Sequence, residues 1–268
     1  MTSFGAGTAA ALGLGLAVIA IGAPPAAAAD WIITLGERTS VVPPYEGANH
    51  DVLSPSLLFY ARRAGSLYRF TPPDTGSNLT LSSHRFFDFG LALRFRYARG
   101  DSGKLAGMTK VGAAGEPGVF VDFWPTNWLR ARVEGRRGVF GHEGYVGWTG
   151  LDLIHTGKTW DFSIGPRLGL GSAKYMETYF GVTPEEAAAS PLIKSPYTPR
   201  AGERYRGVET AASYHLTKRW RTWVDFSYHR LSNRAGDSPV VELAGSRNQY
   251  AGSLGFSYTF GVHLGHRH

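Results

Sequence analysis

Period-two alternation, sustained over runs of ten residues and more, constrains this 268-residue chain more than any other feature. Within residues 85–97, Phe87, Phe89, Leu91, Leu93, Phe95 and Tyr97 share one face, while Asp88, Gly90, Ala92, Arg94 and Arg96 share the other. Trp160, Phe162, Ile164, Leu168 and Leu170 alternate in the same way with Asp161, Ser163, Gly165, Arg167 and Gly169. Residues 129–134, 207–216 and 250–260 repeat the pattern. Side chains of an extended strand point alternately to opposite faces, so each run is a strand with one oily and one wet side. The runs exceed the ~5–6 residues of an ordinary strand and suit the ~9–11 tilted residues that cross a bilayer.

The spacing predicts strands near 30–38, 51–60, 64–70, 77–82, 85–97, 117–124, 127–139, 145–156, 158–170, 204–216, 218–230 and 247–260. Long links follow the first, fifth, ninth and eleventh of these, and the other connections are tight, as at Pro125-Thr126 and Gly157. Long loops on one side and short turns on the other are the asymmetry of an outer-membrane barrel. Lipid offers no partner to an open strand edge, so the sheet must close. The expectation is an all-β chain: a closed antiparallel transmembrane β-barrel of about twelve strands, both ends on the short-turn side. Trp31, Tyr97, Trp128, Tyr145, Trp160, Trp220 and Tyr258 fall near strand ends, where interfacial aromatics belong.

Composition agrees with one oily and one wet face. Glycine supplies 35 residues, aromatics 13% and charged residues only 18%, at a mean hydropathy of −0.17. Residues 9–22 form an uninterrupted apolar run, Pro24-Pro25 breaks it, and Ala27-Ala28-Ala29 precede Asp30. Residues 1–29 therefore read as a cleaved N-terminal signal peptide, 30–260 as the barrel and 261–268 as a short His-rich tail. The chain has no cysteine, which excludes a lipid anchor on cysteine and any disulfide framework. The net charge of +7 falls largely on alternating strand arginines, which argues against nucleic acid as a partner. On these strands Asp88, Arg94, Arg96, Asp122, Arg130, Arg132, Glu134, Arg167, Glu209 and Asp225 would face one lumen. Such a set is either a salt-bridge network filling the barrel or the lining of a narrow channel that prefers anions.

The longest link carries Tyr179-Phe180-Gly181-Val182-Thr183-Pro184-Glu185-Glu186-Ala187-Ala188-Ala189-Ser190. Thr183 as N-cap, Pro184 at the first position and Glu186 closing a capping box predict a short helix, limited by Pro191. The string, with Tyr179, Phe180, Gly181, Val182, Thr183, Glu186 and Ser190 at its key places, resembles the MltA-interacting protein family, also called MipA/OmpV. Pro44-Tyr45-Glu46-Gly47, residues 237–241 and residues 245–250 leading to Phe256-Ser257-Tyr258-Thr259-Phe260 are similar to that family in the same order. The resemblance implies an outer-membrane barrel seated in lipid. It also implies a scaffold role, bridging a lytic transglycosylase and a penicillin-binding protein in murein growth, while other members look porin-like.

No nucleotide loop, paired cysteines or zinc-protease motif is present. Ser227, His229 and Asp225 share a strand face, but residues two apart stand roughly 7 Å apart, too far for a nucleophile to bond its base. His263, His266 and His268 lie in the polar tail. The expectation is a non-enzymatic scaffold without catalytic residues, cofactor or metal. A small anion-preferring channel is the second reading, and a lipid hydrolase the third.

Overall fold

A computed structural model describes residues 29–263. The expected signal peptide, apart from Ala29, and the tail beyond His263 lie outside the described residues. Twelve strands form in chain order: β1 (Trp31–Val42), β2 (Val52–Arg63), β3 (Ser77–Ser83), β4 (Phe87–Arg96), β5 (Ala114–Thr126), β6 (Leu129–Arg137), β7 (Val139–Phe140), β8 (Tyr145–Thr156), β9 (Trp160–Gly171), β10 (Gly202–His215), β11 (Trp220–Leu231) and β12 (Asn248–Val262). All but β7 form a closed ring. β1 pairs with β12 from Trp31↔Val262 to Val41↔Gly252, and β4 pairs with β5 to complete the wall. The two-residue β7 only flanks the start of β5.

Eleven strands cannot alternate up and down around a closed ring, so one neighbouring pair must run the same way. That pair is β2 and β3, parallel at Tyr60↔Asn78 and Ala61↔Leu79. The expected strand at 64–70 is absent. Residues 64–76 instead turn into the lumen and climb back inside the wall, which lets β3 descend beside β2. Phe70 is buried there against Trp124 and Ile154. The segment ends in a 3-10 turn at Pro73–Thr75, where Arg38 Nη1 donates to the Pro73 carbonyl at 3.5 Å. Pro72 and Pro73 carry no N–H, which suits a buried stretch with no strand partner. Parity explains why the start of β1 and the end of β12 still share the short-turn side: eleven strands plus this internal return replace an even count.

β2 meets β3 only near its lower end, so its upper half borders no strand on that side among the described residues. The Phe59 N–H faces that edge and donates to Ser77 Oγ at 3.2 Å. Residues of the same parity face it too, and Pro55 among them has no donor to leave unpaired. Higher up, the Tyr97 and Ser54 hydroxyls bridge the gap.

Outward side chains form the belt that the alternation requires. Leu35, Leu57, Leu91, Val121, Val133, Leu151, Ile164, Val224 and Leu254 are exposed on the ring, where lipid replaces water. No helix among the described residues is long and apolar enough to cross a membrane; crossing belongs to the strands. Trp31, Trp128, Trp160, Trp220 and Tyr258 lie at the short-turn end of their strands, and Tyr97 and Tyr145 at the long-loop end. The expected strand at 127–139 stops at Arg137, and Gly138 follows, packed so closely on His142 that a side chain there would meet its ring at 2.2 Å.

The long loops fold over the opposite mouth. α1 (Ala173–Phe180) and α2 (Pro184–Ala189) come from the β9–β10 link; α3 (Asn233–Gly236) and α4 (Pro239–Ala244) come from the β11–β12 link. Tyr175, Met176, Tyr179 and Phe180 are fully buried and pack with Val111, Val146, Leu231 and Val241. Leu105, Met108, Val182, Ala187, Ile193 and Val240 make a second cluster. The cap thus has a dry core of its own.

Phe70→Ala should cost about 3–5 kcal/mol, read as a lower urea midpoint of the barrel refolded in detergent. An unchanged midpoint would mean that the inner segment does not pack.

Candidate functional site

The ten charged residues expected to share a lumen all point inward, and their partners define the interior. Glu134 on β6 lies at the centre: it accepts from Arg94 at 2.6 Å and Arg132 at 2.7 Å, and also from Arg136. Arg132 further pairs with Asp122 on β5 at 3.1 Å and donates to Asn78 at 2.9 Å. Its guanidinium lies 4.0 Å from the Phe120 ring centroid. Arg130 donates twice to Asp152, at 2.7 and 3.0 Å, and Arg167 reaches the other Asp152 oxygen at 2.7 Å. Arg167 continues to Glu209 at 3.1 Å, and Glu209 lies 3.0 Å from His229. Asp225 pairs with Arg38, and Asp88 with Arg69 of the inner segment. Arg130, Arg132, Glu134 and Asp152 are at most 1% exposed.

Strand pairing produces this density. Asp122 and Arg132 are direct cross-strand partners, as are Arg130 and Asp152, so the register itself sets opposite charges side by side. Burial of ions is repaid only when nearly every donor and acceptor is used, and an intact buried pair then adds little net stability over well-packed apolar side chains. Removing one partner is different, since it strands the others.

A second cluster joins wall to cap. Glu46, in the β1–β2 loop, accepts from Arg204 at 2.5 Å and from the Tyr175 hydroxyl at 2.6 Å. Arg96 pairs with Glu116 at 2.8 Å and lies 4.0 Å from Glu46. Glu116 also holds Arg136 and His142. Burial alone would raise the Glu46 carboxyl, but Arg204, Arg96 and the Tyr175 hydroxyl outweigh it and hold it below its ordinary value. Burial pushes the Tyr179 phenol up to about 12, so it stays neutral.

The loop string folds as its spacing predicts. Thr183 Oγ1 accepts from the Glu186 N–H, and Glu186 Oε2 accepts from the Thr183 N–H at 2.9 Å. Glu186 Oε1 also takes the Thr109 N–H at 2.7 Å, tying α2 to the β4–β5 loop. Val182 bridges to Tyr197. Ser190 Oγ accepts from Ile193 N–H at 3.1 Å. Gly181 is required because a side chain would meet the Glu177 carbonyl at 2.4 Å. Tyr179 and Phe180 belong to α1 and anchor the cap core.

Sequence reasoning missed Arg38, Arg69, Glu116, Arg136, Asp152 and Arg204; it placed Asp161 on a wet strand face and Glu46 in a family-like motif but gave neither a partner. Arg136 and Asp152 continue the parity of strands already recognised and were available from it. Glu46 and Arg69 lie off the strands, where alternation gives no signal. Two members of the Ser227, His229 and Asp225 set have partners outside it. Asp225 lies 3.1 Å from Arg38, and the His229 ring stacks on Tyr205 at 4.1 Å beside Glu209.

Residues 35–260 match the family described as MltA-interacting protein MipA. The chain belongs to the MipA family. No curated protein matches it in sequence. Among solved structures it is similar to the NanC porin, at 11% identity, covering 85% of this chain and 98% of that one, TM-score 0.36. It is similar also to an outer membrane channel from Pseudomonas putida F1, at 10% identity, 87% and 96% coverage, TM-score 0.41. Pseudomonas aeruginosa OccK8 (OprE) matches at 11% identity, 87% and 98% coverage, TM-score 0.32. With its closed wall and apolar outer belt, this MipA-family chain is an outer-membrane barrel protein.

Glu134→Ala leaves three guanidiniums around an empty place and should cost about 3–5 kcal/mol, measured by urea unfolding of the refolded barrel. The pairing of Glu46 contributes fully above the ordinary carboxyl value of 4.5 and fades as the pH falls through its lowered value. Acid should therefore loosen the cap below the ordinary carboxyl range while neutral pH keeps it docked. Limited proteolysis across residues 191–201 at stepped pH checks this, and Glu46→Gln should bring the loosening to neutral pH.

Proposed function

We propose that this protein is a non-enzymatic, non-conducting outer-membrane platform that docks murein-active enzymes on its periplasmic face. The observation that carries the reading is the filled lumen. Arg132 and Glu134 are buried in the middle of β6 and Arg130 and Asp152 nearer the short-turn end, the segment 64–76 lies inside the wall, and the cap covers the far mouth. A diffusion pore needs a continuous wet path, and these three layers support the reading that this lumen offers none. What such a barrel presents to the periplasm is its short-turn rim.

That rim is basic. Arg63, Arg85, Lys158, Lys218 and Arg219 are exposed there, with Asp30 as an exposed acid among them. A basic ring suits a partner with an acidic docking face and makes the encounter salt-dependent. The family description names an interaction with MltA, and the family resemblance names a lytic transglycosylase and a penicillin-binding protein as the bridged enzymes. Both act on murein, which lies directly below this rim. The burial of Asp225 against Arg38 and of His229 against Tyr205 supports a role without hydrolysis.

Mild crosslinking in intact envelopes, followed by purification of the barrel, should recover a lytic transglycosylase and a penicillin-binding protein. Charge reversal at Arg85 and Lys158, which are exposed on the rim and do not line the lumen, should reduce that recovery several-fold. The same protein should be silent in a planar bilayer. A discrete anion-selective conductance, or recovery of no murein enzyme, would overturn the reading.

A further inference from the structure

Beside the inner segment the barrel holds a cavity of about 460 Å³. Phe70 and Trp124 line it near the short-turn end, Pro73 reaches it from the 3-10 turn, and Lys218 and Arg219 line it from the β10–β11 turn. Tyr68 remains 47% exposed although the wall surrounds it, so the cavity is wet and opens toward the short-turn end.

Its charges do not balance. Arg69 is matched by Asp88 and Arg132 by Asp122. Asp161 is shared, 2.7 Å from His215 and 3.7 Å from Arg221. Among the described residues no carboxylate lies within ion-pair distance of Arg62, Lys218 or Arg219. Arg62 donates only to Ser66, at its carbonyl and its hydroxyl, both at 3.2 Å. Arg62 and Arg221 approach the same ring: their guanidinium carbons lie 5.8 and 5.0 Å from the Tyr68 centroid. Elsewhere in this lumen almost every arginine has its acid, so a cavity that holds Arg62, Lys218 and Arg219 without one, and Arg221 with only a share of Asp161, is a departure that suits an anion.

We propose that this vestibule binds an acidic sugar entering from the periplasm. Arg62 and Arg221 would hold its carboxylate or phosphate with charge-assisted hydrogen bonds. Tyr68, half exposed on the cavity wall beside these two arginines and accepting from Arg221 at its hydroxyl, offers the free part of its ring to the sugar, and the volume suits one or two hexose units rather than a long chain. The site does not depend on the docking of murein enzymes, since it lies inside the wall and not on the rim.

The test titrates the refolded full-length barrel in detergent with glucuronate, glucose 6-phosphate, inorganic phosphate and glucose, by calorimetry. Glucuronate and glucose 6-phosphate should each bind at least about tenfold more tightly than glucose or phosphate alone. Arg62→Gln removes a cation that holds no carboxylate, so the thermal midpoint should stay or rise while acid-sugar affinity falls about tenfold. Arg221→Gln should weaken the same ligands and serves as the second variant. Equal binding of glucose, phosphate binding as tightly as glucose 6-phosphate, or undiminished affinity in both variants would overturn the proposal.

Discussion

Closure of the sheet is the constraint on which everything else in this structure depends. In hydrocarbon an unpaired backbone N–H or C=O costs several kcal/mol, so the first strand must find the last. β1 and β12 do so over eleven residue pairs. Once the ring is closed, period-two geometry forces half of each strand's side chains into lipid and half into a shared interior. The apolar half needs nothing further. The polar half is enclosed, and the charges buried within it must be neutralised where they stand.

The ion-pair network follows from that enclosure. Register sets Asp122 beside Arg132 and Arg130 beside Asp152, and longer arginines carry the connections across to Glu209 and Glu116. The odd ring follows as well. A parallel β2–β3 contact needs a return path, and the only route that does not cross lipid is through the lumen. Residues 64–76 take it, and by taking it they fill space that a channel would leave open. The plug is therefore part of the topology, not an addition to a finished barrel.

Strands such as β4 and β9 were legible because both of their faces speak: Phe87 through Phe95 and Asp88 through Arg96 give one consistent phase. Residues 64–70 misled for the same reason. Leu67, Arg69 and Phe70 contain the ingredients of a strand, and Pro72-Pro73, which marks the turn inside the wall, was the overlooked signal. α2 was legible since its capping box is local. The partners of the lumen charges were legible only where they lay on recognised strands. Glu46 and Arg204 are 158 residues apart, and nothing local in either predicts the other.

The central claim is that one chain closes on itself through β1 and β12. Thr34 and Thr259 face each other across that seam with hydroxyls 2.8 Å apart, and the chain has no cysteine of its own. In a Thr34→Cys, Thr259→Cys protein, oxidation in the membrane should form one intramolecular disulfide in nearly every molecule, seen as a shifted unreduced band on denaturing gels. Free thiols after oxidation, or bonds formed only between chains, would contradict it.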